Sequence, residues 1–586
     1  MISNKVLSHA NAGFSNSAMK KLALPDVRAS AWMGLMMSLP ARLQPFRKEL
    51  GVASALLATL IGPFLLKPSE SAAPAQYDRR LVIVTPHHEL IRAEFGRGFA
   101  REWKAKTGEI VFVDWRVPGG TSEISMMLKS EYIAAFQHYW TQGLKKTWTA
   151  DVAQSCLNPK APATDVARSS FLRSSVGIGM DVFFGGGGFD FQIQADVGTL
   201  VAEAGRGTGL AEIRRRHGDW FSDAVIPEKM SGEPFRDPQD RWCGACLSSF
   251  GIVFNRDVLR RLGIEKDPAQ WSDLADPRLR GMVALADPGR SSSVTKAFEM
   301  LIQQQMQENI SRLTHQPGLL KPAEIQQAGV EAGWIAGLSL IQRISANSRY
   351  FSDTSTKIPL DVMRGDAAAG MCIDFYGRST EESLRQADGT SRVGFTMPVG
   401  GTSISVDPIA MLRGAPDPVL ATAFMEYVLG EQGQRLWAFR RGEIGGPEAA
   451  ALRRLPVRRD FYTPELTALM SDGAEMPYQK AQAFTYHAEW TGPAFSAIRF
   501  LIRVLCVDTH EEQQRAWARL MQADFPPHAT LVFHDLERVR YSTTVTEISK
   551  ILRARDKVAE TQLARQLGDS FRGNYQLSAE LARQGK

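Results

Sequence analysis

The chain has 586 residues, 44% of them hydrophobic and 23% charged, with a formal net charge of +6; this is an ordinary globular composition, too long for one simple core. The positive excess is modest for the length and sits largely near the amino terminus and in the last third, so it demands no polyanionic partner. Five cysteines exclude a disulfide-built scaffold.

The first feature along the chain is an apolar run over residues 50–66, preceded by Arg42, Arg47 and Lys48 and followed by Lys67 and Ser71-Ala72-Ala73-Pro74-Ala75. A basic flank, an apolar core and a small-residue end make an export signal. At ~1.5 Å per residue the run barely reaches across a ~30 Å hydrocarbon layer. It therefore reads as a cleaved signal peptide or a signal anchor over 50–75. Residues 1–49 form a basic, polar segment without periodicity. Met33, Met36 and Met37 offer later translation starts, and the rival reading is a cytoplasmic tail. Either way the remainder is expected to work in the periplasm or outside the cell, which removes most nucleotide-driven and nucleic-acid functions, and no nucleic-acid partner is expected. No second apolar run is expected to span a membrane.

Beyond this run, short apolar strands alternate with amphipathic helices, the mark of an α/β protein. Residues 81–85 read as a strand, followed by Pro86-His87-His88 and a helix over 89–106 whose Ile91, Phe95, Phe99 and Trp103 form one apolar stripe. A second strand at 110–115 precedes Pro118-Gly119-Gly120-Thr121-Ser122 and a new helix. A third at 181–184 runs into Gly185 to Gly188. The CxxC of Cys243 and Cys246 runs into a strand over 247–254, whereas a redox motif sits at a helix start that lowers the thiol pKa. A local disulfide or two packed thiols in a loop is expected instead. A short helix at 258–262 and a strand at 282–286 lead into Asp287-Pro288-Gly289-Arg290-Ser291-Ser292-Ser293 and a long helix to about 311. Strands follow at 369–375 and 403–412, then helices at 418–429 and 431–440. After Gly445-Gly446-Pro447 the chain reads as mostly helical to its end.

Ligands of open α/β sheets bind beyond the carboxyl ends of strands. The helix starts after Thr85, Trp115, Ala286 and Phe375 carry hydroxyl or glycine residues and the positive end of a helix dipole, a setting that suits an anion. Ordinary helix capping accounts for each of them singly. His87, Asp374 and Tyr376 are of the types a transition metal takes, yet adjacent side chains such as His87 and His88 diverge in an extended loop. There is no HExxH motif, no GxSxG elbow and no GxGxxG or P-loop spacing around Gly185. The glycines are expected to let backbone pass close to a ligand or a neighbouring helix. No catalytic set and no cofactor are expected.

Five segments together resemble extracellular solute-binding proteins of ABC transporters. They are 81–95 (LVIVTPHHELIRAEF), 271–280 (WSDLADPRLR), 286–294 (ADPGRSSSV), 371–377 (MCIDFYG) and 407–437. The likeness is to the type II group that includes ferric-ion, phosphonate and sugar-phosphate binders, and it covers roughly 78–460. It implies an α/β fold of two lobes: 78–245 as the first part of lobe 1, 246–400 as lobe 2, and 401–490 returning to lobe 1; residues 491–586 lie beyond the likeness and read as a helical extension, with simple padding of the first lobe as one reading of it. The likeness implies ligand held between the lobes by Thr85, His87, His88, Gly120, Thr121, Gly185 and Gly186 on one side, and by Ser291, Ser292, Asp374 and Tyr376 on the other. Ferric binders of the group use adjacent tyrosines, and no Tyr-Tyr pair occurs here, which favours an anionic organic solute over a metal ion. The expected function is a monomeric binding component that delivers a small polar solute to a permease. The alternatives are a membrane-anchored sensor of the same fold, or an extracytoplasmic thiol oxidoreductase or hydrolase.

Overall fold

The computed structural model describes residues 76–586 apart from 204, 316–320 and 555; the signal or anchor read at 50–75 and the segment before it lie outside the described residues. The strands are, in chain order, β1 (Arg79–Val84), β2 (Val111–Arg116), β3 (Val182–Phe184), β4 (Leu200–Val201), β5 (Lys229–Met230), β6 (Glu233–Pro234), β7 (Cys243–Ser248), β8 (Phe250–Asn255), β9 (Val283–Ala286), β10 (Ser348–Ser352), β11 (Ala369–Ile373), β12 (Val393–Thr396) and β13 (Ser405–Leu412). The helices that matter below are α1 (Glu89–Thr107), α2 (Thr121–His138), α3 (Gly188–Val197), α4 (Ser292–Thr314), α5 (Pro322–Ala346) and α6 (Asp374–Ser383). They continue with α7 (Pro418–Leu429), α8 (Glu431–Ala438), α9 (Phe495–Ile502), α10 (His510–Gln522), α11 (Pro527–Phe533) and α12 (Lys557–Arg583).

Two sheets form two lobes. Lobe 1 holds the order β2-β1-β3-β13-β4, with β7 also paired to β13; lobe 2 holds β10-β9-β11-β8-β12. In lobe 1, β2 and β3 flank β1 in parallel and β13 returns antiparallel. In lobe 2, β9, β10 and β11 are parallel and β8 runs against β11. Parallel neighbours need crossover helices. The first is α1, whose Ile91, Phe95 and Phe99 are buried and whose end is set by Gly108 in the left-handed region.

The strand expected over 247–254 is in fact two strands, because it serves both sheets. β7 belongs to lobe 1, β8 to lobe 2, and the passage falls at Ser249 rather than at 245–246. The second passage, residues 397–404, runs beside it. Phe250 N donates to Thr402 Oγ1 (3.3 Å), and Ser405 Oγ donates to Ser248 O (3.2 Å). Two further readings change. The strand read to 375 ends at Ile373, and Asp374 opens α6. Residues after Pro447 are extended before they become helical: Leu247 N donates to Leu455 O (2.8 Å), so this stretch borders β7.

The carboxyl-terminal extension packs on lobe 2, not on lobe 1. One continuous apolar core joins Phe254, Val283, Leu285, Trp334 and Ile341 of lobe 2 to Leu501, Trp517, Phe533, Phe571 and Tyr575 of the extension. The core of lobe 1 is separate. The stretch Ala488–Val507 is long and apolar enough to cross a membrane, with a mean hydropathy of 1.3, contrary to the expectation that no second run would be. Most of it is buried in the joint core, where an apolar helix needs no bilayer.

Candidate ligand cleft

Three loops of lobe 1 converge beyond the carboxyl ends of β1, β2 and β3. Thr85 is buried, and its hydroxyl accepts from His87 N (3.0 Å). His87 is 6% exposed. Its ring meets Phe184 edge-on at 4.6 Å and Trp437 at 5.7 Å, and its Nε2 lies 3.7 Å from Asp407 Oδ2. Burial pushes the His87 pKa down, against the pull of Asp407, so the imidazole is neutral near pH 7. The neighbouring His88 points the other way. It caps α1, its Nδ1 accepting from Leu90 N (3.3 Å), and its ring lies 6.2 Å from that of Phe375.

The glycines do what the sequence required of them. A Cβ on Gly185 (φ +87) would stand 2.3 Å from the His87 ring, and one on Gly186 (φ +123) would stand 2.7 Å from Thr121. The backbone therefore passes against two neighbouring loops at positions that side chains rarely adopt. Gly120 and Gly187 are the N-caps of α2 and α3 and supply no side-chain cap. Two helix amino termini thus meet at Thr121 and Gly186. Negative side chains already complement them: Glu123 in α2, folded back over Gly120, and Asp190 in α3. Burial pushes the Asp190 carboxyl up to about 6, against the pull of Arg499.

Lobe 2 contributes less of what was expected. Ser291 caps α4, its hydroxyl accepting from Val294 N (3.4 Å). Ser292 opens that helix, and its side chain lies outside the described set. Asp374 is 1% exposed, its carboxylate accepting from its own helix at Phe375 N (2.8 Å). Burial pushes its pKa up, opposed by Arg454 and Arg378. Asp374 stands behind the cleft, and its backbone N donates to Ser249 O (3.0 Å) at the passage between lobes. Phe375 is 5% exposed, belongs to the core of lobe 1 and lies under the Arg454 guanidinium at 5.9 Å. Tyr376 also packs against that core, and burial pushes its phenol pKa up.

Arg454 Nη2 in turn holds Asp407 Oδ2 at 2.6 Å. Although burial alone would raise it, the Asp407 pKa falls below the usual range because Arg454 and His87 outweigh that burial. No group of three or more His, Cys, Asp or Glu side chains gathers as a metal site among the described residues. Cys243 and Cys246 lie in β7, not in a loop, as buried free thiols. Burial pushes the Cys243 pKa up to about 12 and that of Cys246 higher, the opposite of a redox thiol.

Sequence reasoning missed the residues that join the two walls. Phe189 in the first turn of α3 lies 5.1 Å, ring to ring, from Phe495 in α9. On the same α9, Arg499 donates to Pro288 O (2.9 Å) and Gly289 O (3.2 Å). The extension therefore places the loop before α4 opposite the glycine loop before α3. The run Phe189-Asp190 after four glycines was a signal for the first partner. Nothing in the sequence pointed to the second.

Residues 222–466 match the family model described as bacterial extracellular solute-binding protein. An uncharacterized protein of Haemophilus influenzae is 24% identical over 275 residues, 42% of this chain and 69% of its own length. The phosphoglycerate transport regulatory protein PgtC of Salmonella typhimurium is 26% identical over 192 residues, 33% of this chain and 39% of its own length. Among solved structures, the periplasmic binding protein AfuA of Actinobacillus pleuropneumoniae, with fructose-6-phosphate bound, aligns at 16% identity and TM-score 0.42 over 69% of this chain and 95% of its own. Iron-bound HitA of Pseudomonas aeruginosa aligns at 14% identity and TM-score 0.41 over 72% and 98%.

Proposed function

We propose that this chain, whose residues 222–466 match the family model described as bacterial extracellular solute-binding protein, captures a small organic anion between its lobes for an ABC transporter permease. The observation that carries the solute class is the meeting of the side-chain-uncapped amino termini of α2 and α3 at Thr121 and Gly186, faced by the Ser291 start of α4. Helix amino termini present N–H groups and positive potential to an anion, and a bound anion would compete there with Glu123 and Asp190. A hydroxyl-bearing solute would use Thr121 and Ser291 as further partners. His88, which is exposed, would meet it, while the buried His87 and Asp374 would shape the site without touching solute. Binding would bridge both lobes and so favour the closed arrangement over the open one. Release into the periplasm and tethering through residues 50–66 both remain compatible with this role.

The test is a thermal-shift screen of ligand-stripped protein with 3-phosphoglycerate, fructose 6-phosphate, inorganic phosphate, ferric citrate and spermidine. At a hundred times its dissociation constant a ligand stabilises the fold by about 2.7 kcal/mol. A shift with an organic phosphate that is lost in Gly186→Ala, which crowds Thr121, supports the proposal. A shift with ferric citrate or spermidine alone, or with nothing in the panel, overturns the anion assignment.

A further inference from the structure

The extension shares the core of lobe 2, yet together with the segment that leads into it, it touches lobe 1 at two separate places. The first is beside the hinge. Tyr486 N, in the segment leading to the extension, donates to Ser231 O (2.7 Å) at the tip of the β5–β6 hairpin. A Cβ on the next residue, Gly232 (φ +84), would stand 1.8 Å from Tyr486 O. The two backbones are in direct contact there. Beneath them Lys296 Nζ of α4 lies 3.2 Å from Glu233 Oε1 and 3.1 Å from Glu299 Oε2, and 3.4 Å over the Tyr486 ring.

The same cluster is closed off by hydroxyls. Ser403, in the second passage between lobes, donates to Glu233 Oε1 (2.6 Å), and Tyr486 donates to Glu299 Oε1 (3.1 Å), as does Thr491. Glu233 and Glu299 are 6% and 0% exposed. Phe235, which follows the hairpin, sits in the core of lobe 1, whereas Lys296 and Glu299 ride on lobe 2. Parting the hairpin from α4 would leave buried charges without their partners, a state that buried ion pairs resist strongly.

The second place is at the mouth of the cleft, where Phe495 meets Phe189 and Arg499 fixes the Pro288–Gly289 loop opposite Asp190. This contact is of another kind. Phe189 is 57% exposed, and its ring gives up little when it parts from Phe495.

We propose that the carboxyl-terminal extension, with the segment that leads into it, is a clamp that sets the angle between the lobes, pinned to lobe 1 through Tyr486 and Thr491 at the Glu233–Lys296–Glu299 clasp and free to make or break the Phe189–Phe495 contact at the cleft mouth. The clasp then acts as a second pivot beside the passages at Ser249 and 397–404. The lip of the cleft on the lobe 2 side is α9 itself. This rests on the solute-binding reading only for what closure accomplishes, since the clamp is a property of the empty protein.

The experiment uses the whole chain without added solute. Spin labels are placed at Val166→Cys in lobe 1 and Leu360→Cys in lobe 2, both exposed, while the native cysteines are buried. The interlobe distance distribution is read by pulsed electron spin resonance for the parent, Glu233→Gln, Phe189→Ser and the double variant. The clamp predicts a broader distribution for Glu233→Gln, a shift to longer distance for Phe189→Ser, and both changes in the double variant. Distributions that match the parent in both single variants, with melting temperatures unchanged, overturn it. Should Glu233→Gln fail to fold, Phe189→Ser decides, because it alters an exposed side chain. A blank solute screen leaves this result standing, and an unmoved distance leaves the solute assignment standing.

Discussion

The two lobes bury sheets of similar topology with different numbers of layers. In lobe 1, helix α1 is an outer layer: Ile91, Phe95 and Phe99 face the sheet, and the opposite face is charged. In lobe 2, helix α5 is covered on two sides. Gly329, Gly333 and Gly337 press against Ile310, Met306 and Ile302 of α4. Its other face reaches the extension, with Trp334 Nε1 donating to Val539 O (2.8 Å) and Gln342 Nε2 to Phe533 O (3.1 Å). A helix with apolar residues on two sides needs two partners, and the extension supplies the second for α5. The extension is therefore a third layer of lobe 2, and the comparison breaks if it can be loosened without loosening that lobe.

The largest expected effect tests this directly. Trp517 in α10 is 3% exposed, packs against Phe533 and Phe525, and donates from Nε1 to Asn347 Oδ1 (2.9 Å) just before β10. Trp517→Ala should cost about 3–5 kcal/mol, the range for deleting a buried aromatic ring. Amide exchange should quicken in α5 and β9–β11 as well as in α10 and α12, and stay unchanged in β1–β3. Quickening confined to residues 488–586 would mean a separately folding domain.

The next effect probes the contact between α4 and α5. A Cβ on Gly333 would stand 2.2 Å from the Met306 Cα and 2.5 Å from its N, so it would meet backbone, which cannot turn aside. Gly333→Ala should cost about 1–3 kcal/mol through overpacking, despite the better helix propensity of alanine. The same change at Gly573 in α12, where no atom stands within 4 Å, should stabilise by about 0.5–1 kcal/mol. Urea melts of the two variants would show opposite shifts; shifts of one sign would mean that the helix pair gives way more easily than its geometry implies.

What the sequence made legible follows the range of the interactions involved. Strands and helices near β1, β3 and β13 were readable because apolar alternation and helix stripes are local. Gly185 and Gly186 were readable as close backbone approaches because only glycine fits such positions. Ser249 was not readable as a passage: β7 and β8 form one apolar run, and only pairing with two different sheets divides it. The place of Asp374 was misjudged for a related reason. A carboxylate at a helix start looks like a cleft residue, but Asp374 is buried and its carboxylate turns back to accept from Phe375 N of its own helix. The destination of the extension was invisible because nothing on α9–α12 distinguishes one apolar sheet layer from another.

The smallest effect concerns the seam between α5 and α11. His534 Nδ1 lies 3.0 Å from Gln342 Oε1, and its pKa is pushed down to about 4 by burial, with the nearby Arg343 adding to it. An unfolded chain titrates histidine near 6.5. Above that value both states are neutral at this residue and stability is complete. As pH falls from about 6.5 towards 4 the unfolded state takes up a proton that the folded state refuses, so stability is lost across that window. Discounted for partial exposure, the loss is about 1–2 kcal/mol. The carboxyls of Asp181 and Asp190, both pushed up to about 6 by burial, act with the opposite sign, gaining stability as pH falls. The bare pH profile therefore mixes the two. Subtracting the profile of His534→Gln isolates the histidine: the difference between parent and variant should change between pH 7 and 4.5, with the parent losing relative to the variant. Parallel profiles would mean that His534 takes its proton in the folded state as readily as in the unfolded one, and that the seam under the extension is wetter than its packing shows.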